Sequence, residues 1–176
     1  SVIDAAAALA LAPFEEEGGE NPYTLHQEMQ QTMNDLVGII RKEAEIEQAL
    51  ATLGELKARA AHLTIEGHRQ FNPGWHLALD LRNMLAVSEC VARAALLRQE
   101  SRGGHTRDDF PTMDPVWRLK NLVCSLKGSG SEAEITVNEQ PMVPMREDLL
   151  ALFKRDELAK YLTDDELAKL PERSES

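Results

Sequence analysis

FNPGWHLALDLRNMLAVSECVARAALLRQESRGGHTRDDFP, residues 71–111, decides the fold. Asn72 has the side chain of a helix N-cap, and Pro73 suits the first helical position, where a missing N–H costs nothing. Nothing from Pro73 to about Arg98 breaks a helix. At ~1.5 Å per residue such a helix is roughly 40 Å long. Leu77, Leu81, Met84, Ser88, Val91 and Ala95 recur at alternating spacings of three and four, and Ala78, Leu85 and Ala92 widen that stripe. So broad an apolar face predicts partners on more than one side.

Two upstream stretches have the form of those partners. From Thr24 onward, Leu25, Met29, Met33, Leu36, Val37 and Ile40 share one helical face. Thr24 followed by Gln27 fits a capping box. Gly38 falls inside this pattern, and its simplest role is to let another helix approach closely. Glu43–His62 forms a second amphipathic run through Ile46, Ala49, Leu50, Leu53, Leu56 and Ala60, with Glu43, Glu45 and Glu47 at the dipole-compatible end. Three such helices with short joins predict a mainly α fold: a three-helix antiparallel up-down-up (spectrin-repeat-like) bundle.

The remaining segments are appendages. Residues 2–12 are an Ala-rich helix and residues 13–22 an acidic, Gly-containing linker. After Pro111 the composition shifts toward strand formers at 117–126 and 134–143, joined by turn-type residues 127–131, and a small β-hairpin is predicted. A lone hairpin is marginal and should lie against something. Residues 146–170 read as short helices, with DELAK repeated at Asp156–Lys160 and Asp165–Lys169 and a capping box at Thr163/Glu166; 171–176 are expected to be disordered. The expected partition is therefore 1–20, 21–111, 112–145 and 146–176.

Composition narrows the function classes. The chain has 176 residues, 43% hydrophobic and 28% charged, with a net charge of -11. That charge opposes unspecific nucleic-acid binding and anionic membrane surfaces. No apolar run reaches the ~18 residues a spanning helix needs. Two cysteines suggest no disulfide framework and point to a reduced, cytoplasmic setting. The chain opens on Ser1 rather than Met, the pattern of a fragment or a processed product.

The densest chemistry is Glu100-Ser101-Arg102-Gly103-Gly104-His105-Thr106-Arg107-Asp108-Asp109. These residue types fit a catalytic loop, with His105 as acid or base, Arg102 or Arg107 as anion clamp and Asp108 as orienter. They fit equally a helix C-terminus closed by Gly103 or Gly104 in the left-handed conformation, with Arg102 on the last carbonyls. His26, His62, His68 and His76 form no metal signature, there is no Cys-x-x-Cys, and no Gly-rich phosphate loop or nucleophile elbow occurs.

Two stretches carry a family resemblance. Residues 25–57, with Gln31-Thr32-Met33, Val37-Gly38-Ile39-Ile40-Arg41, Ala49-Leu50 and Leu53, resemble the helical C-terminal region of succinate dehydrogenase and fumarate reductase flavoprotein subunits. Ser101-Arg102-Gly103-Gly104-His105-Thr106-Arg107-Asp108-Asp109-Phe110-Pro111 is similar to that family's long Ser-Arg-Gly-x-His-x-Arg-x-Asp-(Tyr/Phe)-Pro motif. The likeness covers about Asn21–Pro144; residues 145–176 extend beyond it. The resemblance implies a parent subunit that carries FAD and interconverts succinate and fumarate. It implies an iron–sulfur subunit as partner and, through it, membrane anchor subunits, with a location on the inner face of the membrane. The flavin- and substrate-binding motifs of that family lie upstream and are absent here. The expectation is therefore a structural piece with no catalytic, cofactor-binding or metal-binding residue. It packs on its own upstream FAD-binding domain, with Arg41, Ser101, Arg102, Gly103, His105, Arg107 and Asp109 as interface candidates. L-aspartate oxidase, which has a similar bundle and a related motif, is the alternative parent; a free-standing helical adaptor is the alternative outside the family.

Overall fold

Asn72 caps the long helix, α4 (Pro73–Leu97), its side-chain oxygen accepting from the Trp75 amide at 3.1 Å. The same Asn72 side chain donates to the carbonyls of Glu66 and His68, so one residue closes the preceding loop and opens the helix. The protein is seen here in a computed structural model that describes residues 1–128 and 133–170. Asn-Pro opens the first bundle helix too. Helix α2 (Pro22–Leu36) is capped by Asn21, which accepts from the Tyr23 amide at 2.9 Å. The expected start at Thr24 is thus corrected upstream: the proline already has helical φ and its missing N–H leaves one donor fewer to satisfy. Helix α3 (Glu43–Arg59) continues as a single 3-10 turn over Ala60–His62, matching the predicted span.

Gly38 does not sit inside a helix. α2 ends at Leu36, and Gly38 lies in the turn beyond it. A Cβ there would come 2.8 Å from the Asn34 carbonyl, so glycine is required by the helix's own end and not by a neighbouring helix. The chain then forms β1 (Ile40–Arg41), which pairs in parallel with β2 (Thr106–Arg107).

Ion pairs fix the direction of the helices. Arg59, at the end of α3, binds Glu20 and Glu28 at the start of α2, at 2.7 and 2.5 Å. Asp109, beyond the end of α4, binds the Glu43 amide at the start of α3, at 3.0 Å. Each helix therefore runs opposite to the next. Leu25, Met29, Ile46, Ala49, Leu53, Leu56, Ala78, Leu81, Leu85, Ala92 and Ala95 fill the space between them. The buried line on α4 runs through Ala78, Leu81, Leu85, Glu89, Ala92 and Ala95; all but Glu89 belong to the expected stripe, while Val91, also expected there, is exposed. A carboxylate can sit in that seam because Lys57 and Arg93 grip Glu89 at 2.6 and 2.7 Å. Burial pushes the Glu89 carboxyl up, but those two partners outweigh it and its pKa lies below the usual value.

The predicted hairpin exists. β3 (Lys120–Lys127) pairs antiparallel with β4 (Glu134–Pro141), from Lys120↔Pro141 to Lys127↔Glu134. It lies on α4, burying Ile135. The predicted turn at 129–131 and the tail 171–176 fall outside the described residues. At the other end, α1 (Val2–Leu11) has no buried residue and is tied down by Trp75, whose indole N–H donates to the Ala10 carbonyl at 2.7 Å. Three helices of four or five residues, α5 (Glu147–Leu150), α6 (Arg155–Leu158) and α7 (Asp164–Ala168), follow the hairpin, and Glu166 pairs with Arg118. No described helix is long and apolar enough to cross a membrane.

Candidate functional site

The charged segment after α4 folds back across the end of the bundle. α4 stops at Leu97, and Arg98 already has extended backbone, φ -79° and ψ 96°. Neither glycine closes the helix, contrary to one of the two sequence readings. Gly103 is left-handed, φ 58°, but it sits in a tight reversal where Arg102 and His105 exchange backbone hydrogen bonds of 2.7 and 3.0 Å. That reversal is a two-residue hairpin loop, whose first central position calls for positive φ.

Arg107 performs the capping that Arg102 was expected to perform. Its side chain is fully buried. Nη1 donates to the carbonyls of Ala95 and Leu96 at 2.8 and 2.9 Å, two of the last acceptors of α4. Nε and Nη2 hold both oxygens of Asp109 at 2.7 Å, and the guanidinium lies 5.0 Å over the Phe110 ring. Asp109 in turn accepts from the Glu43 amide, one of the unsatisfied donors at the start of α3. This Arg–Asp fork joins the negative end of one helix to the positive end of the next. The hydrogen bonds from Arg107 hold the Asp109 carboxyl down at about 2.

A second buried charge, Glu100, lies beside it. Its carboxylate accepts from Arg98 at 2.6 Å, from Arg102 at 3.1 Å and from the Asp114 amide at 2.9 Å. Burial favours the neutral acid, but the two guanidinium groups and the amide win, and the pKa falls below its usual value. Arg98 also reaches the Trp117 carbonyl at 3.0 Å, and Arg102 the Asp114 carbonyl at 3.2 Å. Glu100 thereby anchors the approach to the β-hairpin. Ser101 stitches the two halves together: its hydroxyl accepts from the Arg107 amide at 2.8 Å and donates to the Phe110 carbonyl at 2.8 Å.

His105 has no free lone pair. Nε2 is 3.0 Å from the Arg98 carbonyl, which can only accept, so Nε2 carries the hydrogen. Nδ1 is 2.7 Å from Arg41 Nη1, which can only donate, so Nδ1 accepts. The imidazole is neutral, and burial, with the charges of Arg41, Arg98 and Arg107, keeps its pKa below the usual value. Arg41 itself reaches back to the Gly38 carbonyl at 2.6 Å.

The structure thus brings together all seven predicted positions, Arg41, Ser101, Arg102, Gly103, His105, Arg107 and Asp109. It leaves Asp108 exposed, paired only loosely with Lys42 at 3.7 Å, and so not oriented toward the histidine. Four participants are absent from those seven positions: Arg98, Glu100, Glu43 and Asp114. Glu100 could have been found, because Arg98, Glu100 and Arg102 alternate and share one side of an extended chain. Glu43 and Asp114 could not, since their close contacts in the cluster are made by backbone groups delivered by the fold. Chemically, the guanidinium of Arg107, the carboxylates of Glu100 and Asp109 and both ring nitrogens of His105 are engaged inside the chain. No group of three or more metal-ligating side chains occurs among the described residues.

Comparison with known proteins gives a consistent picture. Residues 26–155 match the family model described as fumarate reductase flavoprotein C-term. The chain is 37% identical over 110 residues to the fumarate reductase flavoprotein subunit of Helicobacter pylori, covering 62% of this chain and 15% of that protein. It is 35% identical over 144 residues to the succinate dehydrogenase flavoprotein subunit of Coxiella burnetii, covering 81% of this chain and 24% of that one. A chain of the Mycobacterium smegmatis Sdh1 complex in the apo form superposes with a TM-score of 0.87 at 59% identity, over 97% of this chain and 29% of its own length. This chain therefore spans less than a third of each protein it is compared with here.

Proposed function

The chain belongs to the family of fumarate reductase flavoprotein C-terminal regions, and from that premise we propose that it braces a flavoprotein subunit and supplies no reacting group itself. In this reading the whole subunit binds FAD upstream and interconverts succinate and fumarate. It hands electrons to an iron–sulfur subunit at the inner face of the membrane. The names of the relatives support that parentage over an L-aspartate oxidase or a free-standing adaptor.

One observation carries the structural role: both nitrogens of His105 are engaged, and Arg107 is buried with its hydrogen bonds directed inward. A general acid or base must reach the proton it moves, and an anion clamp must keep donors free for the substrate. Neither condition holds here. The residues also do not fit a flavin, since among the described residues no glycine-rich turn opens a helix behind a strand, and no step of flavin chemistry is assigned to them. Exposed apolar side chains beside the cluster, Ile39 and Ile40, support burial of that end against other parts of the parent enzyme.

Two measurements test the reading. The purified 176-residue chain should be helical, colourless and inactive in a succinate–dye reductase assay. Bound flavin or turnover would refute a purely structural role. In the full-length subunit, Arg107→Ala should lower flavin retention or co-purification of the iron–sulfur subunit. Normal assembly with turnover lost would assign the cluster direct chemistry instead.

A further inference from the structure

Cys90 and Cys124 take no part in the charged cluster, yet the fold sets them against one another. Cys90 lies on α4 and Cys124 within β3. The Cys124 thiol points at the Cys90 backbone, donating to its carbonyl at 3.7 Å. Both thiols are free, and both residues are half-buried at the seam between helix and hairpin. A disulfide usually spans about 4.4–6.8 Å between its two Cα atoms.

We propose that Cys90 and Cys124 form a dithiol site that a small-molecule disulfide oxidises to an intramolecular bridge between α4 and the β-hairpin. The chemistry balances without a metal or a flavin. One thiol loses its proton and attacks a sulfur of the small disulfide. A mixed disulfide forms, and the first small thiolate leaves and takes up a proton. The second cysteine then attacks the protein sulfur of that mixed disulfide and expels the second small thiolate. Two protein thiols are oxidised and one small disulfide is reduced to two thiols. Burial, then the neighbouring Cys124, push the Cys90 thiol up. Either cysteine can open the exchange, and the other closes it once the mixed disulfide lies next to it.

The bridge would close a loop across a sequence separation of 34 residues. That loop contains the whole segment from Arg98 to Asp114, so oxidation would clamp both the charged cluster and the hairpin onto α4. This inference is independent of the proposed role in a flavoprotein.

The test uses the reduced 176-residue chain exposed to oxidised glutathione. The expected product is a monomer with no titratable thiol and no attached glutathione, its Cys90 and Cys124 peptides linked until dithiothreitol is added. Cys90→Ser and Cys124→Ser should each yield only a glutathione adduct or a disulfide dimer. Wild-type chain carrying glutathione on both cysteines, dimerising, or keeping both thiols would overturn the proposal. The peptide map of the unmodified chain decides the matter even if a serine variant folds poorly.

Discussion

Arg107→Ala removes a side chain that no solvent touches. The fork onto Asp109 is lost, and the Ala95 and Leu96 carbonyls lose their donor. Breaking a buried ion pair from one side costs about 3–5 kcal/mol. Asp109 keeps 28% of its side-chain surface exposed and its bond from the Glu43 amide, so water offsets part of the loss. The lower end, about 3 kcal/mol, is therefore expected. For a chain of this length that is roughly 6–12 °C in melting temperature. Urea unfolding followed by circular dichroism measures it. Arg107→Lys keeps the charge but not the planar fork and should recover less than half of the loss. A double-mutant cycle with Asp109→Ala should show a coupling of at least about 1 kcal/mol. A loss below about 1 kcal/mol for Arg107→Ala, or strict additivity with Asp109→Ala, would refute the idea that this pair joins α4 to α3.

The same pair predicts acid sensitivity. Asp109 takes a proton near 3.8 when unfolded but only at about 2 when folded. The folded state then binds fewer protons, so its stabilisation, about 2 kcal/mol, is present above pH 3.8 and lost as pH falls from there toward 2. Urea midpoints across that range should fall less steeply for Asp109→Asn. Gly103→Ala meets no atom within 4 Å, so only its positive φ resists; a cost of about 1–2 kcal/mol is expected, against less than ~0.5 kcal/mol for Gly104→Ala. Ser101→Ala should cost about 1–3 kcal/mol in the same assay, because the Arg107 amide and the Phe110 carbonyl both lose their partner. If the Cys90–Cys124 bridge forms, closing its loop should stabilise the oxidised chain by about 3–4 kcal/mol, read as a rise in the urea midpoint.

Local chemistry made the elements legible. Asn72-Pro73 announced α4, the periodic leucines and alanines announced three packed helices, and two stretches of strand formers around turn-type residues announced a hairpin. The Ser101–Pro111 motif announced the family. These signals reside in neighbouring residues, so the chain carries them before it folds. The start of α2 was misread because two capping patterns compete within a few residues, and the rigid Asn21-Pro22 pair prevailed over Thr24. The buried stripe on α4 was legible except at Glu89, which looks like surface until Lys57, 32 residues away, neutralises it. What only the tertiary structure decided is the work of the charges. Residue types allowed Arg102, His105 and Arg107 to be a catalytic loop or a helix end, and nothing local distinguishes the two. Among the cluster's hydrogen-bond partners are the Ala95 and Leu96 carbonyls, the Glu43 amide and the Arg98 carbonyl, backbone groups present in every sequence that acquire a position only when the helices pack.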